Sequence, residues 1–445
     1  MSIVICSASM CLPHHGAPRE TGNSRREEEG EENEGFTELS SVSVPYIADP
    51  APLQRKAVLV YVFPSHQLAL LKHRVGMSME RKRKLLGEEE ITYSTTADEY
   101  ISRRKKLVEL LPKRSLAIIA AASVKMMTDV VPYPFRQDAD YFYITGCQQP
   151  GGVAVISDEY GLCMFMPDPD PHHEAWQGPV AGIDAALSYF KADKAYPMSK
   201  LRQVLSKMIG DASGLFHNVK TGSPSYANLE EFQRAQSSNK VKDLSCYTDE
   251  LRWIKSPSEL KLMRQSASIA CQALLQTMLF SRTNAEENTL AAKVEYECKI
   301  RGGGANGSVI HYARNDQKVR ILRSGLKQMG ILKDEKSNAY YQLNPTSIGH
   351  YLGMDIHDSA TISNSRPLQP GVVITIEPGV YIPPSFKTSR SYQGVGIRIE
   401  DEVLITETGH EVLTASMPKE ISHMKSLLNF GSSGSEIPDL RSACS

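Results

Sequence analysis

Apolar positions along the chain recur first at helical spacing and then in short runs punctuated by glycine. Thr95 or Thr96 is placed to cap a helix in which Ile101, Val108 and Leu111 share a face and which Pro112 stops. Apolar runs follow at Leu116 to Ala121, Tyr141 to Thr145, Val153 to Ser157 and Leu162 to Met166. Gly146, Gly151, Gly152 and Gly161 separate them, which predicts strands. Helical spacing returns at Ala185 to Tyr189 and Leu201 to Ile209. Strands mixed with helices over residues 95–250 predict an α/β or α+β unit. Ser256-Pro257-Ser258-Glu259 is then a capping box with proline at the first helical position, where a missing N–H costs nothing. Leu260, Met263, Ala267, Ala270, Leu274 and Met278 line one face of the long helix that follows. A second helix is predicted from near Asn284, with Glu287 three residues on, to Gly302. From Gly349 to about Thr414 the chain becomes strand-rich, with alternating segments Val372 to Glu377 and Val395 to Glu400.

These boundaries divide the 445 residues into an N-terminal tail over 1–90, a first domain over 91–250, a second over 251–430 and a C-terminal tail over 431–445. Composition acts mainly by exclusion. Fifty basic and 51 acidic residues nearly cancel, so no broad basic face and no nucleic-acid partner is expected. The most apolar stretch, Ala57 to Phe63, ends at Pro64, far short of the ~20 residues of a membrane span. Eight cysteines with no CxxC speak against a disulfide scaffold or zinc ribbon and for a reducing compartment. Glu27, Glu28, Glu29, Glu31, Glu32 and Glu34 follow Arg25-Arg26, the reverse of an acid-poor targeting presequence. The N-terminal tail is expected to be mostly disordered.

Two candidate sites fail on context. Gly302 to Gly307 contains a formal GxGxxG, yet it follows a helix and precedes the strand-like Ser308 to Tyr312. A dinucleotide loop needs the opposite order, so this one is a helix stop and turn. His172-His173-Glu174 sits on a Pro/Asp-rich loop with no further ligand at a useful spacing, which makes it a solvated loop. No GxSxG is present and no cysteine has a nucleophile context.

The chemistry lies further on. Gly349-His350-Tyr351-Leu352-Gly353-Met354-Asp355-Ile356-His357-Asp358 puts two histidines seven residues apart among small residues. If Ile374 and Ile376 face a core, Thr375 and Glu377 face the other side. Ile397 and Ile399 facing inward likewise put Arg398 and Glu400 together on the opposite face. One imidazole and two carboxylates from separate strands suit a hard or borderline divalent metal. The same residues also make buried ion pairs, for instance Arg398 with Glu377, and spacing leaves both readings open.

Motif for motif, residues from about 95 to 428 resemble the Xaa-Pro aminopeptidases (aminopeptidase P), metallopeptidases of the pita-bread fold, and within them the mitochondrial intermediate-cleaving branch. The carrying motifs are GHYLGMDIHD, ITIEPGVYIP and GIRIEDEVLIT, supported by GSVIHYARNDQ, FRQDADYFYITGCQQPGG and AWQG. The resemblance implies an α/β (α+β) chain with a creatinase-like N-terminal domain followed by a pita-bread catalytic domain. It implies a hydrolase that uses two Mn²⁺ ions to activate water against the peptide bond before a penultimate proline. In the intermediate-cleaving branch the task is removal of one residue from imported mitochondrial precursors after presequence cleavage. Carried over by motif, His350 and Glu377 bind one metal and Glu400 bridges both. Glu377 serves as general acid/base, His357 and His311 contact the substrate and stabilise the tetrahedral intermediate, and Arg398 supports the carboxylates. No organic cofactor is implied. Expected partners are peptide or protein N-termini as substrate and, among proteins, a second copy of the chain in a homodimer.

The chain departs from the family at its metal site. The first two of five family ligands are aspartates on a hairpin between the HY and GHYLG motifs. Here only 39 positions (350 less 311) separate His311 from His350, several tens fewer than the family pattern requires. A smaller gap precedes Gly303. Asn315-Asp316-Gln317-Lys318 runs directly into Val319-Arg320-Ile321-Leu322, a helical-looking segment that stops at Gly330. Asp316 and Asp334 lie in that interval, but neither has the sequence context of the family ligands. Glu377 and Glu400 supply two negative charges where two divalent ions carry four positive ones, so at most one ion is expected. The catalytic domain therefore reads as internally deleted, and activity as impaired. The alternative is a non-catalytic pita-bread protein that binds peptides or a partner. A dipeptidase of the same fold would share the motifs but refuse tripeptides and longer substrates.

Overall fold

The computed structural model describes residues 86–87, 89–129, 131–171, 174, 180–218, 224–283, 286–301, 320–334, 336–345 and 347–429. His311, Asp316, Asn284, His172, His173, the Gly302 to Gly307 loop, the AWQG and GSVIHYARNDQ motifs and most of both predicted tails lie outside the described residues. Among the described residues no helix is long and apolar enough to cross a membrane.

The chain enters through a short ribbon of β1 (Glu90–Thr92) and β2 (Thr95–Thr96) and passes into α1 (Ala97–Leu110). Thr96 caps that helix by accepting from the Glu99 N–H, as its spacing predicts. The buried face differs from expectation: it carries Tyr100, Arg103, Arg104 and Leu107, while Ile101 and Val108 are half-buried. Burial of two guanidiniums is tolerated because backbone carbonyls receive them. Arg104 donates to the carbonyls of Tyr100, Phe190 and Lys191, and Arg103 to that of Tyr143 and to Glu99.

A six-stranded mixed sheet forms the first half. Its order is β6 (Lys194–Pro197), β5 (Gly161–Met166), β4 (Val153–Ser157), β3 (Ser115–Ala120), β7 (Gly214–His217), β8 (Val241–Asp243). The central pairs β3/β4 and β4/β5 are antiparallel, and the outer pairs β5/β6, β3/β7 and β7/β8 are parallel. Alternate residues feed two cores. Ala117, Ile119, Ala154 and Ile156 pack with Leu107 of α1, Tyr141 of α2 (Ala139–Thr145) and Ala186 of α3 (Ile183–Ser188). Leu116, Ile118, Val153 and Val155 pack with Leu205 of α4 (Leu201–Asp211) and Phe232 of α5 (Glu230–Ser237).

The expected strand Tyr141 to Thr145 is instead helix α2. Local chemistry outweighs its aromatic, strand-like composition. Asp138 Oδ1 accepts from the Tyr141 N–H at 2.8 Å, and Gly146, at φ 72°, closes the other end with its N–H on the Phe142 carbonyl at 2.8 Å. Burial pushes the Asp138 carboxyl up to about 6, with the neighbouring Asp140 charge adding to the shift and its bond to the Tyr141 N–H opposing it. The folded chain thus holds this proton more tightly than the unfolded one, and that contribution to stability is lost as pH rises through about 6. Asp138→Asn keeps the capping oxygen without the charge. It is expected to stabilise the protein by about 1–3 kcal/mol at pH 8 and hardly at all at pH 4. Thermal melts at the two pH values check this, and a larger gain at pH 4 contradicts it.

Helix α6 (Ser245–Trp253) leads into α7 (Pro257–Phe280), whose capping box is complete. Ser256 Oγ accepts from the Glu259 N–H at 3.2 Å, and Glu259 Oε2 accepts from the Ser256 N–H at 2.8 Å. Of the stripe expected on α7, Ala267 and Leu274 are buried, joined by Cys271, Ala273 and Thr277. Helices α8 (Glu287–Ile300), α9 (Arg320–Gln328) and α10 (Tyr340–Leu343) follow, and Gly330 at φ 71° lies just past α9. The strand-rich stretch forms two small sheets. One has the order β13 (Gly409–Val412), β12 (Asp401–Thr406), β9 (Val373–Ile376), and the other pairs β10 (Gly379–Tyr381) with β11 (Gly396–Arg398). Helix α11 (Ile421–Asn429) closes the described chain.

Candidate metal centre

Residues 348–352 run beside the free edge of β9. Thr375 donates its N–H to the His350 carbonyl at 2.9 Å, Leu352 to Val373 at 3.0 Å and Glu377 to Ile348 at 2.6 Å. The approach is so close that a Cβ on Gly349 would sit 2.1 Å from the Thr375 carbonyl oxygen, so only glycine fits before the histidine. This register puts His350 beside Thr375 and Glu377. The His350 N–H donates to Thr375 Oγ1 at 3.1 Å, and that hydroxyl donates to Glu377 Oε1 at 3.2 Å.

The other carboxylate arrives from β11 and β12. Gly379 pairs with Arg398, and Ile376 pairs with Asp401, which brings Arg398 and Glu400 against Glu377 from the neighbouring strands. Ligand atoms of His350, Glu377 and Glu400 all lie within 4.8 Å of one another. His350 Nε2 is 3.3 Å from Glu377 Oε1, and Arg398 Nη1 is 3.0 Å from Glu377 Oε2. The His357 ring centroid is 4.2 Å from that of His350. The structure thus gathers five of the six expected site residues, the sixth, His311, lying outside the described residues.

The electrostatics suit a cation. His350 Nδ1 is 2.9 Å from the Tyr351 carbonyl, so Nδ1–H donates there and the Nε2 lone pair faces the carboxylates. Burial lowers the imidazole below its ordinary pKa and keeps it neutral at pH 7. Burial raises Glu377 above the usual carboxylate range, with Arg398 and the Thr375 hydroxyl opposing. A neutral imidazole and two carboxylates are donors suited to one hard or borderline divalent ion. Among the described residues the side-chain charges do not balance a second ion. Arg398 already cancels one of the two carboxylate charges, so one divalent ion takes the group from −1 to +1 and a second takes it to +3. Asp334, the described aspartate in the short interval before His350, is exposed and accepts from the Lys336 N–H at 2.7 Å, outside the cluster.

The facing of the two strands differs from the expectation, although Ile374 does pack, half-buried, against Trp253, Tyr351 and Val372. Thr375, Arg398 and Glu400 are 2% exposed and Glu377 6%, whereas Ile376 and Ile397 are 45% and 38% exposed. Alternation held, but the polar face is the inner one, because the charged groups satisfy one another there. A cavity of about 860 Å³ lies elsewhere, lined by Ile91, Tyr100, Arg103, Glu259 and Met354 among others, and includes none of the three metal donors.

The sequence profile of the aminopeptidase P N-terminal domain matches residues 100–216, and that of metallopeptidase family M24 matches residues 320–407. The chain is 53% identical over 423 residues to the mitochondrial intermediate cleaving peptidase 55 of Arabidopsis thaliana, covering 78% of this chain and 85% of that one. It is 28% identical to Xaa-Pro aminopeptidase 3 of Homo sapiens, covering 77% and 88%. The solved structure of zinc-substituted aminopeptidase P from E. coli, in complex with product, matches with a TM-score of 0.65 at 27% identity, covering 75% of this chain and 98% of that one. The chain belongs to the aminopeptidase P family of M24 metallopeptidases, with a creatinase-like N-terminal domain followed by a pita-bread metallopeptidase domain. The 423 aligned positions shared with the A. thaliana relative occupy 78% of 445 residues, about 347. That relative therefore carries about 76 residues (423 less 347) that this chain skips.

Proposed function

We propose that this chain retains half of a dinuclear aminopeptidase centre: a single-ion site of His350, Glu377 and Glu400 that faces peptide N-termini but hydrolyses them poorly. The observation that carries the reading is the cluster itself, three donors within 4.8 Å with Arg398 held on Glu377. A bound divalent ion would polarise a peptide carbonyl and acidify water. Glu377 would hold or pass the proton, and His357, its ring centroid 4.2 Å from that of His350, would face the substrate. His311 would share that task by motif. The two aspartates that the family pattern supplies fall in the stretch this chain shortens, so water is neither shared between two ions nor strongly acidified. Manganese is the ion expected by resemblance. By the motif resemblance the class of substrate is an imported mitochondrial precursor after presequence cleavage, and the location is mitochondrial, the word that the name of the A. thaliana relative carries.

The second reading, a peptide- or partner-binding protein without catalysis, is favoured by the same Arg398–Glu377 pair, which neutralises the general acid/base. Release of the N-terminal residue from an Xaa-Pro peptide, with and without MnCl₂, tests the proposal. The expected result is release at or near background from folded protein. Vigorous Mn²⁺-dependent release that Glu377→Gln abolishes would overturn it.

A further inference from the structure

The segment between the two histidines starts on the edge of β9, where the Leu352 N–H donates to the Val373 carbonyl at 3.0 Å. Beyond that point it is held by side chains of α6, which packs beside the six-stranded half. Arg252, 4% exposed, reaches Asp140 Oδ1 with Nη1 at 2.8 Å, and with Nη2 reaches Asp355 Oδ2 at 2.7 Å and Asp358 Oδ1. Asp358 follows His357 directly, and Asp355 precedes it by two residues. Asp140 is fixed in turn by Asn218 Nδ2 at 2.7 Å, and Asp355 is held from outside by Arg136 at 2.8 Å. Lys255 Nζ lies 3.7 Å from Asp358 Oδ2. Three other residues of α6 hold that stretch or the chain just beyond it. Asp249 accepts from the Thr361 N–H at 2.8 Å, Trp253 packs edge-on against Tyr351 at 6.0 Å, and Glu250 pairs with both Arg366 nitrogens at 2.6 and 2.9 Å.

A guanidinium shared among several carboxylates is directional, and a ligand loop fixed from outside its metal shell holds its donors ready for the ion. From this juxtaposition we infer that Arg252, anchored on Asp140, is a positioning residue that sets the His350 and His357 rings through Asp355 and Asp358. The inference rests on the single-ion reading above and extends it across the seam between the two halves. Ring placement is what the cluster controls, so its loss is felt at the imidazoles and in ion affinity rather than only in folding.

Two variants test it. Arg252→Gln removes the shared cation, and Asp355→Asn, whose side chain is 39% exposed, unties the loop without emptying a buried site. Each is titrated with MnCl₂, and the His350 and His357 ring resonances are recorded by NMR without metal. In folded Asp355→Asn both ring resonances are expected to move, and affinity for Mn²⁺ to fall roughly tenfold. Arg252→Gln should fall further, with Arg252→Lys recovering part of the loss. Unchanged ring resonances in folded Asp355→Asn overturn the inference, as does unchanged Mn²⁺ affinity where the wild-type chain binds. Should Arg252→Gln fail to fold, Asp355→Asn carries the test alone. Wild-type Mn²⁺ binding that survives Glu377→Gln and His350→Ala counts against the metal site itself, and the NMR arm still reads the positioning role.

Discussion

Replacing Arg398 with methionine is expected to have two opposite effects: the metal-free chain loses about 3–5 kcal/mol of stability, and affinity for a divalent ion rises at least tenfold. Arg398 is almost completely buried and sits 3.0 Å from Glu377 Oε2. Removing one partner of a buried pair leaves the other charge uncompensated, which accounts for a loss of that size. The same change takes the cluster from −1 to −2, so a divalent ion neutralises it instead of overshooting. Tenfold in affinity needs only about 1.4 kcal/mol, well within what one removed unit charge supplies at this range. Urea unfolding with and without saturating MnCl₂ reads both terms. A loss below about 1 kcal/mol with unchanged Mn²⁺ affinity would mean that Arg398 and the ion do not compete for Glu377.

The second large effect is a gain. Grafting the residues that the A. thaliana relative carries between its own HY and GHYLG motifs into the stretch between His311 and His350 is expected to raise Xaa-Pro peptidase activity from background by at least about 10³-fold. By resemblance those residues bring two aspartates, which take the cluster from −1 to −3 and make room for a second ion. They also supply cover. Ile376 and Ile397, apolar by sequence yet 45% and 38% exposed, are the residues such a segment would shield. Binding of a dye for exposed apolar surface should therefore fall in the graft as activity rises. A folded graft that binds no second ion and releases no residue would refute the idea that the shortened stretch alone disables the site.

What the sequence made legible follows from how local each feature is. The Thr96 cap and the Ser256–Glu259 capping box depend on residues three apart, and both formed as expected. The site was legible because strand period fixes which residues share a face, and Glu377, Arg398 and Glu400 do converge with His350. Period does not say which face is inside. Ile374 to Ile376 looked like a core stripe, but the mutually satisfied polar groups took the interior and Ile376 was left outside. Tyr141 to Thr145 was misread because aromatic composition favours strand, while the deciding groups, Asp138 and Gly146, lie just beyond the run. Arg252 was invisible for another reason. Its carboxylate partners lie 112, 103 and 106 residues away, where no spacing rule reaches. The aspartates that flank His357 were nevertheless present in the quoted motif as a signal.

The most direct test of a site that keeps one ion of two is a count of Mn²⁺ bound per chain. Calorimetric titration of the purified chain at neutral pH, beside His350→Ala, provides it. The expected result is no more than one weakly held ion, absent from the variant. Two ions per chain, both lost in His350→Ala, would contradict the charge argument and mean that ligands outside His350, Glu377 and Glu400 complete a dinuclear centre.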